Sequence, residues 1–159
     1  MALIDLLSPE GILSALRVNG KKQALQEMSE RAAQVSGLPA REIFDALLQR
    51  ERLGSTGVGD GIAIPHARNP IILHDVAPAI AVCYLAQPID FAAIDGLPVQ
   101  TLFVLLSPSV PVHLHLLSRL SFMLKHETFL RALADRALLP VILDAARSAE
   151  AGLEPPVTP

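Results

Sequence analysis

The sequence is poor in the residues on which several functional classes depend. It has no tryptophan, aromatic residues make up only 4% of its 159 residues, and Cys83 is its single cysteine. Few aromatics leave little material for stacking the bases of single-stranded nucleic acid. A single cysteine cannot form a disulfide within the chain, and its position in the apolar run at 80–85 predicts a buried, unreactive thiol.

A strong excess of one charge and long hydrophobic runs are also lacking. The 13 Lys and Arg against 16 Asp and Glu give a formal net charge of −3, which argues against a broad nucleic-acid-binding face. No run of about 18 apolar residues occurs, and the first residues lack the basic, apolar and small-residue order of a signal peptide. We therefore expect a cytoplasmic protein with no nucleic-acid partner and no membrane insertion.

Apolar residues are abundant, at 51% of the chain, and their spacing predicts the fold. A period of 3.6 residues predicts helices at 21–35, 39–52, 112–125, 127–134 and 140–149. Continuous apolar runs flanked by prolines predict central strands at 77–85 and 99–107, with further strands within 12–18 and around 61–64. We expect a single layered α/β domain over residues 1–150, with helices flanking a central sheet. Residues 151–159 are expected to form a disordered tail.

The segment from 50 to 68, RERLGSTGVGDGIAIPHAR, is the most unusual part of the sequence. It combines four glycines, two hydroxyl residues, several arginines and a histidine behind a proline. It is not a phosphate-binding P-loop, because no Lys-Ser or Lys-Thr follows the glycines. It is not a dinucleotide-binding motif either, because Ile62 or Ile64 stands where the last glycine should be.

The same segment has the composition of an anion site with a nucleophile. Its small residues let backbone N–H groups approach an anion, and Ser55 and Thr56 add hydroxyl donors. Pro65 stiffens the backbone before His66, whose neutral imidazole can attack phosphorus and hold the group covalently. The nearby cations that would surround the charged phosphoryl oxygens are Arg50, Arg52 and Arg68. An ordinary glycine-rich turn with a structural histidine remains the alternative.

Taken in order, RE…GSTGVG…GIAIPH resembles the motif of the fructose/mannitol/nitrogen-type IIA proteins of the bacterial phosphotransferase system. Later segments at 91–99 and 102–106 resemble the central strands of that family, and the resemblance covers about residues 3–135. It implies a mixed central sheet flanked by helices. One departure is Ala67, since the family usually has glycine after the histidine, and a methyl group there restricts the backbone.

The resemblance also implies an activity. His66 would accept phosphate from the carrier protein HPr, or from its nitrogen-type counterpart, with Arg50 as the active-site arginine. The phosphate would pass to a IIB domain or serve as a regulatory signal. In-line transfer between two histidines needs no metal, and we expect no cofactor.

His113 and His115 form a His-x-His pair whose meaning depends on local structure. On a strand such a pair could chelate a metal, but on a helix the two side chains point about 200° apart. The pattern that follows is helical, with Ser109 and Pro111 as cap and first-turn residues, so we expect no metal site. In the opening turn His113 would lie where an anion is favoured, and the resemblance implies a second, phosphate-binding histidine there. A buried-edge histidine remains the other interpretation of His113.

Three functions remain open from the sequence. The first is phosphoryl transfer through His66. The second is a regulatory module whose phosphorylation state controls a transporter or a kinase. The third is a relative that has lost phosphorylation, against which the presence of Arg50, His66 and His113 argues. His74 and His126 match no motif and are expected to be exposed.

Overall fold

Helix and strand positions follow the apolar periodicity of the sequence. The computed structural model describes residues 2–68 and 77–152. Within these stretches the α-helices are α1 (Lys21–Ser36), α2 (Ala40–Glu51), α3 (Val110–Met123), α4 (Glu127–Ala134) and α5 (Leu139–Glu150). The strands are β1 (Ile12–Leu16), β2 (Gly57–Gly59), β3 (Ile62–Ala63), β4 (Ala79–Ile89) and β5 (Val99–Leu106). Two short 3₁₀ helices, Leu3–Leu6 and Pro9–Gly11, precede β1.

Helix ends are set by residues of the expected types. α1 ends at Gly37, which takes a left-handed conformation (φ 78°) and donates its N–H to the carbonyl of Ala33. α3 begins after Ser109, whose side chain accepts from the N–H of Val112, with a proline in the first turn as predicted. In α2, by contrast, Pro39 is the extended capping residue rather than the first helical one.

The five strands form one mixed sheet in the order β1-β4-β5-β3-β2. β4 pairs antiparallel with β5, while β1 pairs parallel with β4 and β3 pairs parallel with β5. β2 pairs antiparallel with β3 at one edge. The structure therefore confirms an α/β domain with a mixed central sheet.

Successive residues of the central strands alternate between two cores, one on each face of the sheet. The core under α3, α4 and α5 receives Ile80, Val82, Tyr84, Phe103 and Leu105. The core under α1 and α2 receives Ala81, Cys83, Leu85, Leu102 and Val104. Burial raises the pKa of the Cys83 thiol to about 12, in keeping with an unreactive side chain.

Three features differ from the sequence predictions. β4 runs through Pro88 to Ile89, because its pairing with β5 is irregular between Tyr84 and Ile89, where a missing N–H costs little. β2 and the 3₁₀ helices were not predicted, since they are too short to show a period.

Residues 69–76 and 153–159, which include His74 and most of the predicted tail, lie outside the described residues. No helix in the described stretches is long and apolar enough to cross a bilayer.

Candidate active site

The sheet topology brings His66 and His113 together. β3 and β5 run parallel, so their carboxyl ends meet at the same edge of the sheet. His66 follows β3 and forms an isolated bridge with Leu105, and the N–H of Leu105 donates to the carbonyl of Pro65 at 3.2 Å. His113 lies in the opening turn of α3, just after β5. The two imidazole ring centroids are 5.1 Å apart, with the rings tilted by 38°.

One nitrogen of His66 is fixed by the backbone. Its Nδ1 lies 2.7 Å from the carbonyl oxygen of Ile64. A carbonyl oxygen only accepts hydrogen bonds, so Nδ1 carries the proton and Nε2 keeps a free lone pair in the neutral ring. Pro65 between the two residues limits the backbone and holds this arrangement. The half-buried ring therefore offers Nε2 as the nucleophile.

The surroundings of His66 favour its neutral form. Burial lowers the pKa of His66 below its ordinary value of 6.5, and the positive charge of Arg50 lowers it further. The hydrogen bond to Ile64 and the negative charge of Glu51 act in the opposite direction. A neutral ring is what nucleophilic attack requires.

His113 is buried, with 8% of its surface exposed, while His115 is exposed. The helix thus separates the two side chains as the sequence predicted. Nδ1 of His113 lies 3.5 Å from the hydroxyl of Ser107, a long contact. Burial lowers the pKa of His113, and the neighbouring His66 lowers it further, since two charged rings at this distance repel each other.

Arg50 is oriented toward the glycine-rich loop. It lies in the last turn of α2, and its guanidinium donates to the carbonyl of Gly54 at 2.8 Å. Its positive charge lowers the pKa of His66, and the same charge would favour an anion on that ring. Arg52 and Arg68 are exposed, and the structure gives neither of them a bond to the histidine pair.

The hydroxyls of Ser55 and Thr56 are not presented as free anion donors. Ser55 donates its hydroxyl to the carbonyl of Phe91 at 2.5 Å and accepts from the N–H of Gly57 at 3.0 Å. Thr56 is buried, and its hydroxyl donates to Oε2 of Glu51 at 2.6 Å. The physical reason is burial: a polar group removed from water takes the nearest acceptor within the protein.

Glycine at position 57 is required by close packing. A Cβ built there would lie 2.8 Å from Cβ of Ala93 and 2.9 Å from its Cα. The carbonyl of Gly57 also accepts from the N–H of Ile94 at 3.3 Å. The loop that precedes His66 is thus pressed against the segment after β4.

Glu51 belongs to the motif RE…GSTGVG…GIAIPH, but the sequence alone assigned it no role in the site. Its side chain is buried at the end of α2 and accepts from both the N–H and the hydroxyl of Thr56. A charged residue at a helix end is usually exposed, so its place in the motif did not predict a buried carboxylate. The available signal was the pair of hydroxyl residues four and five positions later, which can bond back to a carboxylate.

The remaining candidates lie apart from this cluster. His126 was predicted to be exposed, but it is half-buried: its ring packs 4.8 Å from that of Phe122, and its Nδ1 lies 3.2 Å from the carbonyl of the same residue. Ala67 is buried beside His66, with 6% of its surface exposed. Within residues 2–68 and 77–152, no three His, Cys, Asp or Glu side chains are grouped so that they could hold a metal ion.

Comparison with known proteins gives one consistent group. Residues 5–139 match the family model described as "Phosphoenolpyruvate-dependent sugar phosphotransferase system, EIIA 2". A nitrogen regulatory protein of Bradyrhizobium diazoefficiens is 44% identical over 135 residues, which cover 84% of this chain and 86% of the relative.

Solved structures agree with the fold. The crystal structure of nitrogen regulatory protein IIA-Ntr from Neisseria meningitidis superposes with a TM-score of 0.78 at 28% identity, covering 91% of this chain and 98% of that one. The IIAMTL chain in the complex of enzyme IIAMTL with phosphorylated enzyme IIBMTL from Escherichia coli gives a TM-score of 0.74 at 20% identity, covering 89% and 97%. At that identity the second likeness concerns the fold alone.

Proposed function

Because the chain belongs to the EIIA 2 family of the phosphoenolpyruvate-dependent sugar phosphotransferase system, we propose that it is a cytoplasmic phosphoryl carrier whose acceptor is Nε2 of His66. The observation that carries the proposal is the bond from Nδ1 of His66 to the carbonyl of Ile64. It leaves Nε2 as the one nitrogen with a lone pair available to phosphorus.

The transfer step follows from this geometry. The lone pair of Nε2 attacks the phosphorus of a phosphohistidine on an HPr-type carrier, and the donor's P–N bond breaks with its electrons returning to the donor nitrogen. The new Nε2–P bond leaves the His66 ring positively charged, with its proton still on Nδ1. The Ile64 carbonyl at 2.7 Å stabilises that proton and thereby the charged ring.

The neighbours of His66 have separate roles in this proposal. Arg50, whose charge acts on His66, would supply positive charge, and His113, whose ring centroid is 5.1 Å from that of His66, would donate to the phosphoryl oxygens, whose charge must be stabilised during transfer. Ser55 and Thr56 support the site by fixing the loop, because their hydroxyl protons already serve other acceptors.

The destination of the phosphate distinguishes two forms of the function. Transfer to a IIB domain is supported by the shared fold with a IIA protein whose complex with phosphorylated IIB has been solved. Control of a transporter or kinase by the phosphorylation state is supported by the 44% identity to a nitrogen regulatory protein. The closer similarity favours the regulatory form.

Phosphorylation in a purified system tests the proposal. We expect the protein to gain acid-labile phosphate when incubated with phosphoenolpyruvate, enzyme I and an HPr-type carrier, with carriers of the sugar and nitrogen branches assayed separately. His66→Ala should gain none. His115→Ala is the matched control, because it removes an exposed histidine of α3. The proposal is wrong if the wild type stays unlabelled with both carriers, or if His66→Ala is labelled as well as the wild type.

A further inference from the structure

Glu51 carries a buried carboxylate with an unusually complete set of donors. Only 7% of its surface is exposed. Its Oε1 accepts from Nζ of Lys21 at 2.9 Å and from the N–H of Thr56 at 2.9 Å, and its Oε2 accepts from the hydroxyl of Thr56 at 2.6 Å. A buried charge is tolerated only when it is paired in this way.

From Thr56 the contacts continue to the nucleophile. The carbonyl of Thr56 accepts from the N–H of Ile64 at 3.0 Å. The carbonyl of the same Ile64 lies 2.7 Å from Nδ1 of His66. Two residues thus connect the Glu51 carboxylate to the imidazole, and each link is a hydrogen bond of ordinary length.

The same carboxylate is anchored on its other side. Nζ of Lys21, at the start of α1, lies 4.6 Å from the ring centroid of Phe91 as well as beside Glu51. The carbonyl of Phe91 in turn holds the hydroxyl of Ser55. The loop between Glu51 and Thr56 is therefore fastened to two other parts of the fold, α1 and the segment after β4.

We propose that Glu51 is a positioning residue for His66: through Thr56 and Ile64 its carboxylate keeps the proton of the neutral ring on Nδ1 and directs Nε2 to the phosphoryl donor. The inference rests on the proposed function of His66 as acceptor. Without the carboxylate, the buried N–H and hydroxyl of Thr56 lose their acceptor, and the carbonyl of Thr56 no longer holds the N–H of Ile64 in a fixed position.

Three substitutions separate positioning from plain stability. Glu51→Ala removes every acceptor. Glu51→Gln keeps an amide oxygen for the N–H of Thr56, and its NH₂ can donate to the hydroxyl, so it should preserve the connection. Glu150→Ala is the matched control: Glu150 is also 7% exposed, and it accepts from Leu3, Ile4 and Arg119 rather than from the loop.

Two measurements test whether Glu51 positions His66. They are the kinetics of phosphoryl transfer from the carrier and the ¹⁵N NMR shifts of the His66 ring. For Glu51→Ala we expect the maximal transfer rate to fall by about 100-fold, the size of loss that misplacement by 1 Å can cause. The carrier concentration at half-maximal rate should change little, and the ring should populate the Nε2–H tautomer. Glu51→Gln should recover most of the rate, and Glu150→Ala should leave rate and tautomer unchanged.

Two results would overturn the proposal: a wild-type rate and tautomer in Glu51→Ala, or an equal loss in Glu150→Ala. If Glu51→Ala does not fold, Thr56→Val tests the same connection by removing only the hydroxyl. It should shift the tautomer equilibrium in the same direction, and an unchanged equilibrium would count against Glu51. If the wild type accepts no phosphate, the proposed function fails, but the NMR measurement on the unphosphorylated protein still decides the role of Glu51.

Discussion

Glu51 and Glu150 are two buried glutamates with the same exposure and the same kind of partners, but they join very different parts of the chain. Glu51 accepts from one backbone N–H, one hydroxyl and one basic side chain, and Glu150 accepts from two backbone N–H groups and one basic side chain. Glu51 reaches the backbone five positions later and Lys21 30 positions earlier, whereas Glu150 reaches backbone groups 146 and 147 positions away. One fixes a short loop beside a histidine, and the other fastens the 3₁₀ helix Leu3–Leu6 to the end of α5.

A buried, hydrogen-bonded glutamate can therefore have two different roles, depending on how far away in the sequence its partners lie. A contact between residues far apart in the sequence closes a long loop, so it forms only when the whole chain is folded and its loss appears in the unfolding free energy. A contact within a loop mainly restricts local conformations. We therefore expect substitutions at Glu150 to appear in stability, and substitutions at Glu51 to appear in transfer as well.

The largest expected effect on stability comes from Glu150→Ala. It leaves the buried N–H of Leu3 and the partly buried N–H of Ile4 without an acceptor and removes the partner of Arg119. Removing one member of a buried ion pair costs roughly 3 kcal/mol of unfolding free energy, measured by urea denaturation. The contrast between the two glutamates fails if the loss is below about 0.5 kcal/mol, the size of an ordinary surface substitution.

An intermediate effect is expected in the pH dependence of transfer. Because burial and Arg50 lower the pKa of His66, the midpoint of the acid decline in transfer rate should lie below pH 6.5. The negative charge of Glu51 raises that pKa, so Glu51→Gln should move the decline to lower pH, while Glu150→Gln should not move it. A decline centred at or above 6.5 in the wild type would contradict this environment.

The lowered pKa of His66 also makes the unfolding free energy depend on pH. Folded His66 binds a proton less readily than unfolded His66, so the unfolding free energy rises with pH between the lowered pKa and the ordinary 6.5. Acid removes this contribution. The charged and titratable groups that affect the pKa of His66 are Arg50, Glu51 and His113. In His66→Gln this part of the pH dependence should be absent.

The smallest expected effect is that of Ala67→Gly. Ala67 is buried next to His66, and glycine would add backbone freedom there. We expect an unfolding free energy lower by less than about 1 kcal/mol. The bond between Nδ1 of His66 and the carbonyl of Ile64 involves residues that precede position 67. The transfer rate should therefore stay within about twofold of the wild type. A larger change in rate would show that backbone freedom after the histidine matters as much as the carboxylate of Glu51.

Much of the fold could be predicted because it depends on apolar periodicity. α4 was predicted with its observed bounds, and α1 to within one residue of its end. β4 and β5 were found as runs that are apolar on both faces. β2 was missed because two of its three residues are glycines, which give no alternation of side chains.

The site was harder to predict than the fold. The approach of His66 to His113 depends on β3 and β5 being parallel neighbours, and a two-residue strand gives no sign of its partner. The glycine-rich segment around Thr56 predicts an exposed hydroxyl donor, but Thr56 is buried against Glu51. Whether a hydroxyl faces an anion or a neighbouring carboxylate is decided by tertiary packing, which the order of residues in the loop does not contain.

The bridge between His66 and Leu105 has a consequence for how the histidine pair is spaced. The bridge holds His66 against β5, and His113 lies in the first turn of α3, the helix that follows β5; the two ring centroids are 5.1 Å apart. Exposed residues around the pair, such as Val110 and Leu114, can vary to suit different protein surfaces without altering that interval. Moving His66 away from His113 would require breaking the backbone pairing between Pro65 and Leu105.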